Sequence, residues 1–485
     1  MQPIPEERRE SISLSDAAVR ALQNNLDISI SRRTKESRLA DIVIEQAKFD
    51  PTVSVNGRYL RTVDPLNQPV FGATGFQLNE ITPYDQRNHS LTLDASTNLI
   101  TGGNIGVNYS PARNNVNLAE GFLFNPAWTG GLSFTMTQPL LQNAGTAVSK
   151  TFITVAQNNA VVEQHIFRDQ VLTVIASVEQ NYWELVYARE NVKVAQAALK
   201  AAEELLATNR IKAKAGVMSV VDVLQAEAAV ASRVEQILVA EKAIQDEEDQ
   251  LRTLLNPGEA ELRQTVRLTP LDAPITYMET LSLEEAIETA IERRPEVVQA
   301  KKHIESSKLN KRYARNQLLP TLSLQGTIGL SGLGSDYGNS FTRNFSGDFY
   351  NYGAGLLFSY PLGNRSAIST YHKRQLEAKN AEESLASVRH RIILGIREAV
   401  RRVQTDFKRI ETTRSARILA EKQLHTEQER LRVGLSTTRF VLAFQSDLAT
   451  AQGNELRAIV DYNKSLSNLE RQKATTLDRY HLELS

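Results

Sequence analysis

The sequence predicts an α+β membrane protein whose chain contains two tandem structural repeats. Three observations indicate this fold class: an ungapped internal repeat, blocks of segments in which every second residue is apolar, and long helical stretches without proline. The strand blocks are typical of membrane β-strands, and the helical stretches are typical of coiled coils.

The composition excludes several other classes. Among 485 residues, 56 Lys and Arg balance 56 Asp and Glu, which argues against a nucleic-acid-binding protein that must neutralise phosphates. The chain has no cysteine, so thiol nucleophiles, zinc ribbons and disulfides are excluded. Residues 1–10 contain no apolar signal segment, so we expect either a cytoplasmic protein or one from which a signal peptide was removed.

The repeat defines the first element of each half. Ser13 to Gly57 aligns without a gap on Ser282 to Gly326. Each copy opens with a helix-capping pattern, in which a serine precedes an acidic residue by three positions. Each helix ends at a proline, which cannot continue it. The predicted first helices are 13–50 and 282–319.

The next element of each repeat is a block of strands that begins and ends at a proline. Pro51 and Pro139 delimit the first block, and Pro320 and Pro361 the second, so all four are predicted helix–strand junctions. Each single segment also fits a soluble sandwich strand with one wet face, and that alternative stays open. The first block has about four candidate strands, with residues 99–104 as a turn. We therefore predict an extra hairpin that either widens a barrel or packs on it. Predicted loops are 65–87, 111–128 and 332–350.

Long helical hairpins follow. Apolar residues recur every seven positions along them, which is typical of coiled-coil seams. The seams are Leu185, Val192, Leu199, Leu206 and Ala213; Val223, Val230, Ile237, Ile244 and Leu251; and Ile396, Val403, Ile410, Leu424 and Leu431, with Arg417 as an interruption. A glycine and then a hydroxyl residue follow each outgoing helix, which predicts a tight antiparallel turn.

These signals predict the following organisation. An N-terminal extension covers 1–12. Repeat 1 covers 13–275, with the helix 13–50, strands 51–139, a helical hairpin 140–256 and a linker 257–275. Repeat 2 covers 276–485, with the helix 282–319, strands 320–361 and a helical hairpin 362–480.

This arrangement resembles the outer-membrane efflux protein family, of which TolC is the best-known member. The resemblance covers Ser13 to about Tyr480. Its most specific elements are the openings SLSDAA and SLEEAI, the Pro-Thr-x-Ser-x-x-Gly strand entries, and the turns AGVMSVVDVLQAE and VGLSTTRFVL. It implies a homotrimeric outer-membrane β-barrel that continues as a long periplasmic α-helical barrel. Three chains with four strands each give about twelve strands and pseudo-sixfold symmetry. The strand count of one chain also requires several copies, because the few strands of one chain cannot close a barrel and lipid does not tolerate unpaired sheet edges.

The resemblance also implies site residues. The hairpin tips would meet a periplasmic membrane-fusion adaptor; they are Gly216, Val217, Met218, Ser219, Gly434, Leu435, Ser436 and Thr437. The candidates for a periplasmic gate are Asp222, Arg439, Phe440 and Asp447. Asp222 has an alternative role as the capping partner of Ser219, and Phe440 has an alternative role in packing the seam between helices. Some family members close with acidic side chains just after the second tip glycine, where this chain has Arg439 and Phe440, so it departs from the pattern of an acidic gate ring.

The expected function is a passive exit duct of a tripartite efflux pump or a type I secretion system. Its expected partners are the adaptor, an inner-membrane pump of the RND, ABC or MFS type, and outer-membrane lipid. The alternatives are a coiled-coil tether without a channel and, less favoured, a soluble helical toxin. No HExxH motif, phosphate-binding loop or nucleophile elbow occurs, so we expect neither an enzyme nor a cofactor or metal.

Overall fold

The computed structural model describes residues 8–66, 70–71, 77–78, 81–118, 121–264, 266–480 and 482. Contacts divide the chain into two compact units. One comprises 1–37, 161–301 and 383–485, and the other comprises 38–160 and 302–382. The boundaries fall inside helices, so each repeat contributes to both units. No described helix is long and apolar enough to cross a membrane.

The elements follow the predicted order of helix, strands and helical hairpin, twice. The helices are α1 Leu14–Asn24, α2 Leu26–Gln46, α3 Thr146–Ser149, α4 Thr151–Lys214, α5 Val220–Leu255, α6 Glu259–Leu262, α7 Leu283–Arg293, α8 Pro295–Asn316, α9 Tyr337–Asn344, α10 Arg365–Arg432, α11 Thr438–Lys473 and α12 Thr476–Arg479. The strands are β1 Arg8–Ile12, β2 Thr52–Leu66, β3 Val70–Phe71, β4 Gln77–Leu78, β5 Thr82–Asn98, β6 Asn104–Tyr109, β7 Ala112–Val116, β8 Ala127–Pro139, β9 Val266–Pro270, β10 Thr321–Gly334 and β11 Tyr350–Ser359.

The two repeats begin in the same way. The Ser13 hydroxyl accepts a hydrogen bond from the Asp16 backbone N–H at 3.1 Å, and Ser282 accepts the equivalent bond from Glu285 at 3.3 Å. Corresponding residues also fill corresponding core positions, because Ala21 and its repeat equivalent Ala290 are both fully buried. Each predicted first helix is divided in two, at Asn25 and at Arg294, where the backbone becomes extended.

The long helices have 64 residues in α4 and 68 in α10, and each is followed by a helix of 36 residues. Three apolar clusters stabilise their unit. The first packs α1 against α4 around Val171 and Ile175, and the second packs α7 against α10 around Ile396. A third, smaller cluster joins Leu205, Leu424, Leu431 and Val441 near the hairpin tips. Burial removes this apolar surface from water and so stabilises the pairing of the two hairpins.

The other unit contains a large antiparallel sheet in the order β11-β10-β8-β6-β5-β2, with β7 also between β5 and β8, and a small antiparallel sheet of β3 and β4. We call the large one the sheet. Strands β6 and β7 form one continuous strand, because Ser110 pairs with Gly131 and Leu91 donates to the Pro111 carbonyl without a change of register. The sheet therefore has six strand positions, four from the first repeat and two from the second. The predicted extra hairpin is confirmed, with its turn at 99–103, and it lies within the sheet.

The structure also differs from the predicted segments. Strands extend into the predicted loop 65–87, and β7 lies in the predicted loop 111–128, of which residues 119–120 lie outside the described part. Helix α9 occupies the predicted loop 332–350. Residues 8–12 and 266–270, which we assigned to an extension and a linker, pair as a parallel two-stranded sheet. That pairing joins residues far apart in sequence, so no local pattern indicates it.

Candidate functional site: the tips of the helical hairpins

The first tip is a Schellman turn, a helix end closed by a left-handed residue. Gly216 has φ +75°, its N–H donates to the Ala213 carbonyl at 3.0 Å, and the Val217 N–H donates to Lys212 at 3.0 Å. Ser219 then caps α5 by accepting a hydrogen bond from the Val221 N–H at 3.2 Å. The turn leaves Val217 74% exposed.

The second tip has the same backbone hydrogen bonds. Gly434 has φ +84°, its N–H donates to Leu431, and the Leu435 N–H donates to Arg430 at 2.8 Å. Leu435 is 71% exposed, as Val217 is in the first tip. Thr437 occupies the cap position of α11, but its side chain makes no capping bond. Both tips thus present an apolar residue directly after a left-handed glycine.

A pocket of about 460 Å³ lies beside the second tip. The buried Glu427 anchors it, because its carboxylate accepts hydrogen bonds from the Ser436 hydroxyl and, at 3.2 Å, from Arg430. Phe440, Phe444 and Leu435 also line the pocket. The lining therefore combines hydrogen-bonded polar side chains with aromatic and aliphatic ones.

Asn209 connects the two hairpins next to the tips, and we call its hydrogen bond to Thr438 the tie. This α4 residue is fully buried, and its side-chain amide donates to the Thr438 hydroxyl of α11 at 3.0 Å and to the Asp222 carbonyl of α5 at 3.4 Å. Its carbonyl oxygen Oδ1 has no partner among the described residues. Gln445 adds a second link, from α11 to the Ala201 carbonyl of α4 at 3.1 Å.

The sequence-predicted gate candidates lie on the helices that these links join. Asp222 is half-buried, and the Asp222 carboxylate takes no part in the Ser219 cap, since Ser219 accepts from Val221 instead. Arg439 and Asp447 are exposed, and Arg439 forms no ion pair within the described part of this chain. Phe440 is 55% exposed, whereas its neighbour Val441 is fully buried in the third apolar cluster.

The four prolines lie where helices and strands meet. Pro51 immediately precedes β2 and Pro320 immediately precedes β10, while Pro139 ends β8 and Pro361 lies between β11 and α10. Sequence reasoning missed Asn209 and Glu427. The signal for Asn209 was a polar residue between the seam positions Leu206 and Ala213, where a buried amide needs a partner.

Comparisons with known proteins agree with this architecture. The family model described as outer membrane efflux protein matches residues 125–257 and 286–472, well over half of the chain. The chain belongs to the outer membrane efflux protein family. The predicted family, fold class and outer-membrane location are therefore confirmed.

Two relatives are named pyoverdine export outer membrane protein OpmQ. The protein of Pseudomonas putida is 26% identical over 305 residues, which cover 61% of this chain and 62% of the relative. That of Pseudomonas aeruginosa is 24% identical over 306 residues, with 61% of each chain covered. The chain thus covers less than two thirds of the length of each relative.

Solved structures show the same fold over almost the whole chain. The outer-membrane channel OprN matches with a TM-score of 0.70 at 15% identity, covering 95% of this chain and 90% of its own. The Campylobacter jejuni CmeC outer membrane channel matches with a TM-score of 0.67 at 16% identity, covering 96% and 86%. The names of these relatives and structures describe export and channel proteins rather than enzymes.

Proposed function

We propose that three copies of this chain form an outer-membrane exit duct, which conducts substrates passively from an inner-membrane transporter and a periplasmic adaptor to the exterior. The large sheet with six strand positions is the observation that best supports a membrane duct. Side chains on one face, such as Val55, Leu93 and Phe134, are apolar, while those on the other, such as Ser54, Asp94 and Thr135, are polar. This alternation suits a barrel wall between lipid and a wet lumen.

The edges of the sheet support a multimer. In the described part of the chain, β2 pairs only with β5 and β11 pairs only with β10, so each has one unpaired edge. Unpaired backbone groups are too costly in lipid to remain open. All neighbours are antiparallel and the number of positions is even, so β11 of one copy would meet β2 of the next in antiparallel orientation. Three copies then give a closed barrel.

We assign adaptor contact to the two tips. The exposed Val217 and Leu435 can insert into a partner, and the glycine before each allows a close backbone approach. The pocket between Glu427 and Phe440 provides a matching socket on the second tip. Met218, Ser219, Ser436 and Thr437 complete the two turns.

We assign the gate to the tips of α5 and α11. Phe440 projects from a helix whose next residue is anchored in the core, so three copies can close a bore with an apolar plug. Arg439, Asp222 and Asp447 would then pair between copies, since Arg439 lacks an ion-pair partner within the described part of its own chain. No catalytic residue or cofactor takes part, and the driving energy comes from the transporter.

Two measurements test the duct. Light scattering of the detergent-extracted protein should give about three times the chain mass of 54.1 kDa, after subtraction of detergent. The same trimers should conduct ions across a planar lipid bilayer. Well-folded trimers that leave the bilayer sealed both as the wild type and as Phe440→Ala, which removes the proposed plug, would instead indicate the non-conducting tether. A monomer soluble without detergent would refute the barrel.

A further inference from the structure

The register of the sheet defines its lipid-facing surface row by row. Side chains of directly paired residues lie on the same face, and alternate residues along each strand share that face. One row across the sheet is entirely apolar and aromatic; it consists of Val53, Ala95, Val107, Phe134, Ile328 and Tyr352. We call the surface that carries this row the apolar face.

Towards the ends of the strands, the same face becomes cationic. Tyr59, His89, Arg113 and Trp128 form one row of paired residues. The next row contains Arg61 paired with Arg87. Alternation places all three arginines on the apolar face, beyond its apolar rows. We call Arg61, Arg87 and Arg113 the arginine cluster.

Internal partners do not neutralise this cluster. Arg61 donates two hydrogen bonds to Asp85, at 2.9 and 2.8 Å, and Arg87 lies 3.3 Å from the same carboxylate. Like charges opposite each other destabilise a sheet, and Asp85 offsets the repulsion between these two. Arg113 makes no ion pair or hydrogen bond within the described residues. Three cations therefore share one described anion, and the cluster keeps a positive excess.

An aromatic surface lies beside the cluster. The Trp128 ring, next to Arg113 in its row, is edge-on to Tyr337 with 6.1 Å between centroids, and Tyr337 stacks on Phe341 of the same helix. Helix α9, which carries Tyr337 and Phe341, rests on the apolar face. A Cβ added to Gly332 would lie 2.1 Å from the Ser340 carbonyl oxygen, so only glycine permits this approach.

We propose that the arginine cluster and the aromatic surface of α9 bind the headgroup of a phosphorylated glycolipid in the outer leaflet of the membrane. Arginines recognise phosphate through charge-assisted, bidentate hydrogen bonds. Tyr and Trp side chains prefer the interface between headgroups and acyl chains. The apolar rows directly beyond would contact the acyl chains. This inference rests on the proposed barrel, because that barrel turns the apolar face towards lipid.

Lipid binding to the purified full-length trimer tests the proposal. The probe is lipid A, titrated in detergent and counted by native mass spectrometry, with phosphatidylglycerol and inorganic phosphate as comparison ligands. The test variants are R87Q/R113Q and, because Arg113 has no internal partner to lose, R113Q alone. The matched control is Arg58→Gln, since Arg58 lies on β2 but faces the opposite side of the sheet, paired with Ser90.

We expect lipid A to bind about tenfold more weakly for each phosphate-contacting arginine that is removed, and R58Q to bind like the wild type. Unchanged binding in R113Q and R87Q/R113Q, or an equal loss in R58Q, would overturn the proposal. Displacement of lipid A by inorganic phosphate at the same concentration would show a simple anion site and also overturn it. The mass and conductance of each variant are recorded in parallel. Conducting trimers without lipid selectivity would refute only this inference, whereas loss of the wild-type trimer would refute the duct.

Discussion

The tie between the two hairpins gives the most direct test of the proposed gate. In Thr438→Val, the hydroxyl that accepts the 3.0 Å hydrogen bond from Asn209 is replaced by a methyl group of nearly the same shape. The buried amide keeps only the 3.4 Å contact to the Asp222 carbonyl. Leaving a buried polar group without its partner costs about 1–3 kcal/mol.

This free-energy cost falls only on conformations in which Asn209 is buried against position 438, as it is in the structure. If the tips separate when the duct opens, Thr438→Val favours the open state by the same amount, a shift of about 5- to 150-fold in the closed-to-open ratio. We therefore expect more frequent openings in single-channel recordings from planar bilayers, together with a lower melting temperature.

Two controls separate the tie from other effects. Thr438→Ser keeps the hydroxyl and should gate like the wild type. Thr450→Val makes the same substitution at an exposed position of α11, where the hydroxyl bonds only to its own helix at Ser446. If Thr438→Val opens no more often than Thr450→Val, the tie does not hold the tips closed and the reasoning fails.

Two further predictions concern stability. Gly216 and Gly434 have φ angles of +75° and +84°, so an alanine at either position should lower the free energy of unfolding by about 1–2 kcal/mol, measured with denaturant. Gly453→Ala, within α11, should raise it by about 0.5–1 kcal/mol. Equal effects at the three sites would contradict the turn geometry. Burial raises the pKa of Glu179 above its usual value of 4.5, although the Tyr480 hydroxyl donates to it. Because the folded state holds this proton more tightly, wild-type stability should fall by up to about 1.4 kcal/mol per pH unit as the pH rises from 4.5 through the folded pKa. Glu179→Gln should lack this contribution in melting curves recorded against pH, and an unchanged slope would refute it.

Local signals predicted the parts of the fold that local chemistry determines. The serine caps at Ser13 and Ser282, the glycines at Gly216 and Gly434 and the junction prolines all mark real ends of elements, because each acts within a few residues. Helix α9 escaped prediction because its segment is rich in Gly, Asn and Ser. Its signals were the Asp336 cap, which accepts from the Asn339 N–H at 3.0 Å, and aromatic residues at Tyr337 and Phe341, four positions apart.

Contacts between residues far apart in the sequence could not be predicted from such local signals. The parallel pairing of β1 with β9 depends on contacts across the whole first repeat. Strand β1 does not alternate, and β9 alternates over only five residues, which does not identify its partner. At the tips, the turn residues were found from sequence, but the tie was not. The contact between Asn209 and Thr438 joins helices of different repeats, and only their packing brings the amide and the hydroxyl together.

The extra hairpin changes what the two repeats build. Twelve strands and pseudo-sixfold symmetry required two strands per repeat, but the first repeat supplies four positions and the second supplies two. Three copies would therefore close eighteen strands with threefold symmetry only. Barrel diameter grows roughly in proportion to strand number, so this wall would enclose a wider lumen. The helical hairpins carry no such addition, with two long helices in each repeat. A wider strand barrel does not enlarge the openings that the tips form, so we expect the tip residues to determine which substrates enter.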